Sequence, residues 1–359
     1  MDLDLVFLGT SGSVPTARRG LAGMLVRRGG DRILVDCGEG TQRQLLRSAV
    51  GLVELPEVFV THFHADHYLG LPGMLKTFAL RGRELPLTVY GPPGLVDLFG
   101  ALRRIFGKLT YPLDLVELRP GDALERGDYR IVVFKVAHGV VANGYALVES
   151  SRPGRFDLER ATALGVPEGP LYGRLQRGET VTLPDGRSVA SEEVLGPPRP
   201  GRKIVLAGDT APARSVLDVA READVLVHEA TFAAEEGERA AETAHSTAAG
   251  AAELARAAGV RMLVLTHLSN RYFGPEIVRE AREVFPETVV PRDFDMIDVR
   301  FPERGGPRLV KAGARGTPEG GELHDGHGAG GGSERPDRGG GDPDDPALGG
   351  DPVGARARG

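Results

Sequence analysis

Four metal-competent side chains fall within six residues at His62-Phe63-His64-Ala65-Asp66-His67, directly behind the strand-like run Pro56-Glu57-Val58-Phe59-Val60. Imidazole and carboxylate donors at such spacing suit divalent transition metals, zinc first among them. The end of a strand fans its side chains around one point, whereas a helix would lay them along a face. A chain with this loop must therefore fold so that a strand end meets further donors from elsewhere. A solvated polar loop or a buried core histidine is the plain alternative, which a lone His would fit better than four spaced donors do.

The rest of the chain offers those donors. Of nine histidines, His324 and His327 lie in a Gly-rich stretch, while His62, His64, His67, His138, His228, His245 and His267 each adjoin a strand-like run or a helix start. His138 follows Ile131-Val132-Val133-Phe134, His267 follows Met262-Leu263-Val264-Leu265-Thr266, and Asp209 ends Lys203-Ile204-Val205-Leu206-Ala207-Gly208. Strand C-termini along one rim are where α/β proteins assemble sites. Five histidines and two aspartates suffice for two metals with one carboxylate between them.

Apolar runs predict strands over residues 3–8, 23–26, 32–36, 57–61, 87–90, 113–118, 129–136, 144–148, 203–207, 225–228 and 261–266. Amphipathic spacing predicts helices over 41–50, 67–80, 94–106, 212–222, 246–258 and 275–285. This alternation indicates a layered α/β fold without separating two facing sheets from one doubly wound sheet. No apolar run is long enough for a transmembrane helix, and Met1-Asp2-Leu3-Asp4 lacks the basic start of a signal peptide. The one cysteine, Cys37, excludes an internal disulfide and fits a cytoplasmic location. Net charge is −6, so a polyanionic partner would have to be met by local basic groups and bound cations.

Further segments carry a resemblance. The His62-x-His64-x-Asp66-His67 pattern with a later His, Asp and His is similar to the metallo-β-lactamase superfamily. Phe7-Leu8-Gly9-Thr10, Asp36-Cys37-Gly38-Glu39-Gly40-Thr41-Gln42, Ala207-Gly208-Asp209-Thr210, His228-Glu229-Ala230-Thr231-Phe232, Ala244-His245-Ser246-Thr247 and Leu265-Thr266-His267-Leu268-Ser269 resemble, in order, the ribonuclease Z branch of tRNA 3′-processing endonucleases. The resemblance implies an αββα sandwich with a protruding flexible arm, two Zn2+ per subunit and a homodimer. The implied reaction is endonucleolytic removal of the 3′ trailer from precursor tRNA by two-metal activated water attack, leaving a tRNA 3′-hydroxyl and a trailer 5′-phosphate. A small-molecule phosphodiesterase or arylsulfatase of the same fold is the alternative, and a non-catalytic metal-stabilised RNA-binding protein a third.

Carried over residue by residue, the pattern gives His62, His64 and His138 to one metal and Asp66, His67 and His267 to the other, with Asp209 bridging. Asp66 becomes the general base, His245 the proton donor, Glu229 its orienting partner, and Asp36 a hydrogen-bond support for the ligands. Each has a plainer reading: Asp36 and Glu229 as polar groups ending strands, His228 as a satisfied core histidine, His245 as a helix-flanking residue beside the N-cap signal Ser246-Thr247. Arg18-Arg19-Gly20 stands where the family often carries Arg-Asn.

Two stretches break the alternation. Residues 150–202 have little apolar periodicity and contain Gly165-Val166-Pro167-Glu168-Gly169-Pro170. A loop this long is functional or disordered, and this one resembles the tRNA-gripping arm of the family, with Tyr172, Arg174 and Arg177 toward RNA and Arg271 on the substrate side of the cleft. Beyond about residue 304, Gly, Pro, Asp and Arg dominate, and such composition cannot offset chain entropy. The expected organisation is a catalytic domain over 1–305 with the arm at 150–202, then a disordered tail over 306–359.

Overall fold

In the computed structural model, residues 1–51 and 55–313 are described. The chain opens with β1 (Leu3–Gly9), β2 (Gly23–Arg28), β3 (Asp31–Val35), β4 (Glu57–Phe59), β5 (Leu87–Gly91) and β6 (Leu113–Glu117). It continues into β7 (Ala123–Glu125), β8 (Tyr129–Lys135) and β9 (Asn143–Glu149), makes a short hairpin of β10 (Val181–Thr182) and β11 (Ser188–Val189), and resumes with β12 (Lys203–Leu206), β13 (Val225–Glu229), β14 (Met262–Thr266) and β15 (Thr288–Val289). β16 (Met296–Asp298) and β17 (Arg308–Val310) end the described chain. One eight-stranded sheet runs β17-β16-β1-β2-β3-β4-β5-β6, and a seven-stranded sheet runs β15-β14-β13-β12-β9-β8-β7.

Helices cover the two outer faces. α1 (Thr41–Arg47), the one-turn α2 (Ala65–Tyr68), α3 (Gly70–Leu80) and α4 (Leu95–Phe106) accompany the first sheet; α5 (Leu158–Ala163) and α6 (Pro170–Gln176) lie in the 150–202 segment; α7 (Arg214–Ala220), α8 (Gly237–Glu242), α9 (Ala248–Ala258) and α10 (Gly274–Val284) accompany the second. The layering follows from strands that are apolar on both faces. On β1, Leu3, Leu5 and Phe7 point between the sheets, while Val6 and Leu8 meet the helix layer with Leu71, Met74 and Phe99. On β13, Val225 and Val227 join the inter-sheet core and Leu226 packs under α9. The result is the αββα sandwich.

Two hydrogen bonds fix the sheets against each other beside the histidine loop. The buried Tyr145 hydroxyl donates to the Val60 carbonyl (2.7 Å), and Asn143 N–H donates to the Thr61 carbonyl (2.9 Å).

Three differences from the sequence expectation change how the chain is organised. The expected helix over 67–80 is split at Leu69 into α2 and α3, which lets His67 face inward from its own short turn. The boundary at 305 falls inside the fold, because β17 pairs with β16 from Met296↔Val310 to Asp298↔Arg308. That strand is held by main-chain bonds and the packing of Leu309, so it needs no apolar period. The remainder of the expected tail, residues 314–359, lies outside the described residues. Finally, residues 150–202 build a small core of their own from Ala161, Val166, Leu175, Val181, Leu183, Val189 and Val194. Each short element contributes one or two of these, which is why no periodicity shows.

This segment leaves and returns at one point. Arg152↔Arg199 and Phe156↔Leu195 bridges form its stalk, and the strands approach so closely that a Cβ on Gly154 would sit 1.8 Å from the Gly196 carbonyl. At the root, the buried Glu149 accepts from Arg28 Nε (2.8 Å), Arg202 Nε (2.8 Å) and Arg202 Nη2 (2.7 Å). Burial opposes the charged carboxylate, but the Arg202 hydrogen bonds hold Glu149 down at about 2, against an ordinary 4.5. A depressed folded-state value stabilises the fold above the ordinary value and ceases to do so as pH falls through the depressed one. Stability should therefore decline between pH 4.5 and about 2. Glu149→Gln, leaving two arginines without their anion, should cost about 3–5 kcal/mol in urea unfolding at neutral pH.

Candidate metal centre

β1, β3 and β4 run parallel to one another in the first sheet, as do β8, β12, β13 and β14 in the second. Their C-terminal ends share one rim, and the loops there carry the expected residues. Ser13 follows β1, Asp36 follows β3, and His62, His64, Asp66 and His67 follow β4. His138 follows β8, Asp209 follows β12, Glu229 ends β13, His245 precedes α9, and His267 follows β14.

All seven proposed ligands meet. Ligand atoms of His62, His64, His138 and Asp209 lie within 4.8 Å of one another, as do those of Asp66, His67 and His267. Asp209 Oδ2 joins the groups, at 3.8 Å from His62 Nε2, 3.3 Å from His67 Nε2 and 3.2 Å from His267 Nε2. Asp66 Oδ2 lies 3.2 Å from His267 Nε2, and His67 Nε2 is only 3.4 Å from His267 Nε2.

Four imidazoles are each anchored through Nδ1, which leaves Nε2 facing the cluster. His62 Nδ1 is 3.1 Å from Thr61 Oγ1, His67 Nδ1 is 2.8 Å from Asp36 Oδ2, His138 Nδ1 is 3.1 Å from the Ala244 carbonyl, and His267 Nδ1 is 2.9 Å from Thr231 Oγ1. Such outer partners fix the ring orientation and tautomer of metal-binding histidines. His62 Nε2 is buried with no hydrogen-bond partner among the described residues, an atom that a cation would satisfy. The charges agree. Burial and the neighbouring His67 push His62 down to about 2, and burial with His138 lowers His64, so both present the neutral imidazole a metal requires. Burial opposes charge on His67 and His267, yet Asp209 raises both. Asp209, itself opposed by burial, is held well below the carboxylate range by His267 and His67. The cluster demands positive charge, and the donor set fits divalent metal.

His245 and Glu229 stand beside this cluster. Glu229 Oε1 is 2.6 Å from His245 Nδ1, and the His245 ring stacks 5.6 Å from that of His267. Burial works against the imidazolium, but the Glu229 carboxylate raises the His245 pKa above its ordinary value. His228 is fully buried, with Nδ1 donating to the Glu229 carbonyl (2.8 Å), and stands outside both ligand groups.

Sequence reading missed several participants. Thr231 Oγ1 donates to Glu229 Oε2 while accepting from His267, so one hydroxyl ties the metal cluster to the carboxylate that holds His245. Thr231 belongs to the quoted His228-Glu229-Ala230-Thr231 segment, and Thr61 directly precedes His62; both signals were available. Ser13 N–H on Asp66 Oδ2 (2.7 Å) and the Ala244 carbonyl act through backbone and leave no side-chain signature. Gly12 is required by space, since a Cβ there would lie 2.4 Å from His267 Nδ1.

The residues assigned to RNA are placed differently. Tyr172 is half-buried in the arm's own core against Phe156, with ring centroids 5.0 Å apart. Arg174 and Arg177 are exposed and both pair with Glu179, at 2.8 and 3.1 Å. Arg271 pairs with Glu236 at 2.7 Å. Arg19 is structural here: it donates to the Pro291 carbonyl (2.9 Å) and to Thr10.

An αββα sandwich with two histidine–aspartate groups converging on one rim defines a metal-binding hydrolase of the metallo-β-lactamase type, and residues 22–147 match the family described as Metallo-beta-lactamase superfamily. Ribonuclease Z of Myxococcus xanthus is 49% identical over 305 residues, covering 84% of this chain and 99% of that protein. Ribonuclease Z of Methanosarcina acetivorans is 45% identical over 304 residues, covering 83% and 99%. The crystal structure of human tRNase Z, short form, superposes with a TM-score of 0.61 at 26% identity, covering 83% of this chain and 100% of that one. The chain belongs to the ribonuclease Z family.

Two expectations follow from the cluster. Protons and a metal compete for the same imidazole nitrogens, so metal content measured by chelator competition should fall as pH drops from about 8 to about 5. Thr231→Val should weaken metal retention by about ten- to a hundredfold, and Thr231→Ser should restore it.

Proposed function

We propose that the chain is an endoribonuclease that cuts precursor tRNA on the 3′ side of the acceptor stem. The observation that carries this reading is the meeting of His62, His64, Asp66, His67, His138, Asp209 and His267 from both sheets beside the His245–Glu229 pair, in a chain 49% identical to a ribonuclease Z over nearly its whole length. His62, His64 and His138 would hold one cation, Asp66, His67 and His267 a second, with Asp209 between them. Two Zn2+ suit these imidazole and carboxylate donors. Bound there, the cations supply water of lowered pKa and stabilise negative charge on the phosphate.

The chain's own groups do the rest. Asp66 Oδ2 is engaged by Ser13 N–H and His267, and Oδ1 carries no hydrogen bond among the described residues. In this reading Oδ1, left free, orients the attacking water and takes its proton. The new bond forms between water oxygen and phosphorus, and the phosphorus–3′-oxygen bond breaks. His245 gives the departing 3′-oxygen its proton, held toward the cleft by Glu229. The products are a tRNA 3′-hydroxyl and a trailer with a 5′-phosphate. Asp36 keeps the His67 ring in place.

Residues 150–202 act as the tRNA-binding arm in this reading. Exposed ion pairs are weak, so Arg174 and Arg177 can exchange Glu179 for phosphates, and Arg271 can do the same with Glu236; Tyr172 braces the arm from within. The family resemblance supports a homodimer, and Cys37, the sole cysteine, is compatible with a cytoplasmic setting.

End-mapping of one precursor tRNA digest tests the reading. The wild type should yield the two ends named above, Asp66→Ala should lose at least about a hundredfold in kcat, and deletion of residues 155–198 should abolish tRNA cleavage while sparing a chromogenic phosphodiester. Equal loss on both substrates would assign the arm to folding instead.

A further inference from the structure

The chain has 13 Phe, 7 Tyr and no Trp. Every one lies within the described residues, and all are buried or half-buried except Phe273, whose side chain is 69% exposed. Phe273 sits on the loop leaving His267, six residues along and so at most about 20 Å away. Tyr272 N–H turns back to the Ser269 carbonyl (3.2 Å), which shortens that reach.

The loop is rigid. Phe273 caps α10: its carbonyl accepts from Glu276 N–H (2.9 Å) and its N–H donates to Glu276 Oε2 (3.3 Å). The Tyr272 hydroxyl donates to Glu236, and Arg19 runs so close that a Cβ on Gly274 would lie 3.0 Å from its guanidinium. A fixed scaffold thus presents one aromatic face outward. Val141, also exposed, follows His138 by three residues, so two loops leaving the cluster end in outward apolar side chains.

We propose that Phe273 is a stacking platform for an unpaired nucleobase of the RNA's single-stranded 3′ extension, an assignment that rests on the endoribonuclease reading above. The cluster offers charge for a phosphate, and Phe273 is the one strongly exposed aromatic ring among the described residues. Paired acceptor-stem bases stay in their helix, whereas bases on the trailer side can splay onto an aromatic ring. Stacking tolerates any base, which suits trailers of differing sequence.

Steady-state kinetics of Phe273→Leu and Phe273→Tyr test this. Phe273→Leu should raise KM for precursor tRNA by about five- to a hundredfold with little change in kcat, and Phe273→Tyr should match the wild type. A precursor whose first trailer nucleotides are abasic should show the same KM with wild type and Phe273→Leu, and bis(p-nitrophenyl) phosphate hydrolysis should be unaltered. An unchanged KM on the normal precursor, or an equal rise on the abasic one, overturns the stacking site alone. A wild type that hydrolyses the small ester yet leaves precursor tRNA intact overturns the endoribonuclease reading and the platform with it.

Discussion

The Asp209 carboxylate is the point on which the two sheets close. It is 3% exposed, and one of its oxygens lies within 3.8 Å of imidazoles delivered by the first sheet, His62 and His67, and by the second, His267. A buried anion is costly unless it is paired, so Asp209 requires the sheets to be in register at this edge. The Tyr145–Val60 and Asn143–Thr61 hydrogen bonds enforce that register a few residues away. Beneath them the inter-sheet core of Phe7, Phe59 and Tyr145 supplies the adhesion. The site is thus a product of the sandwich itself rather than of any one loop.

Strain is concentrated around the same point. Of the six non-glycine residues with positive φ among the described residues, four belong to or touch the cluster: Ser13, Asp36, Ala244 and His267. Each turns a backbone or side-chain group onto a ligand that an ordinary conformation would miss, and such strain persists only where surrounding contacts over-determine it. Glu229 shows the same economy, since its two oxygens hold His245 directly and His267 through Thr231. A change at Thr231 therefore reaches both the Asp66–His67–His267 group and His245.

Legibility followed the physics of each feature. The strands of both sheets were readable because both their faces are buried, which makes them continuous apolar runs. The ligands were readable because donor chemistry and strand-end position are local properties. β7, β15, β16 and β17 were missed, since strands of two or three residues contribute too few apolar side chains to show a period. The arm's core was missed because its apolar residues are scattered one per element. Arg174 and Arg177 were read as facing RNA and Arg271 as lying on the substrate side, while the acids that pair with them, Glu179 and Glu236, gave no sign of their partners in sequence.

Residue order alone determined which side chains could serve a metal, where strands end, and to which family the chain belongs, because these depend on chemistry and spacing along the backbone. Whether the layers form one sheet or two, which oxygen lies between the two histidine groups, and which Thr, Ser and Ala hold them were decided only in three dimensions. Residues as distant as Asp66 and His267 meet through packing of the inter-sheet core, and no local pattern encodes that contact.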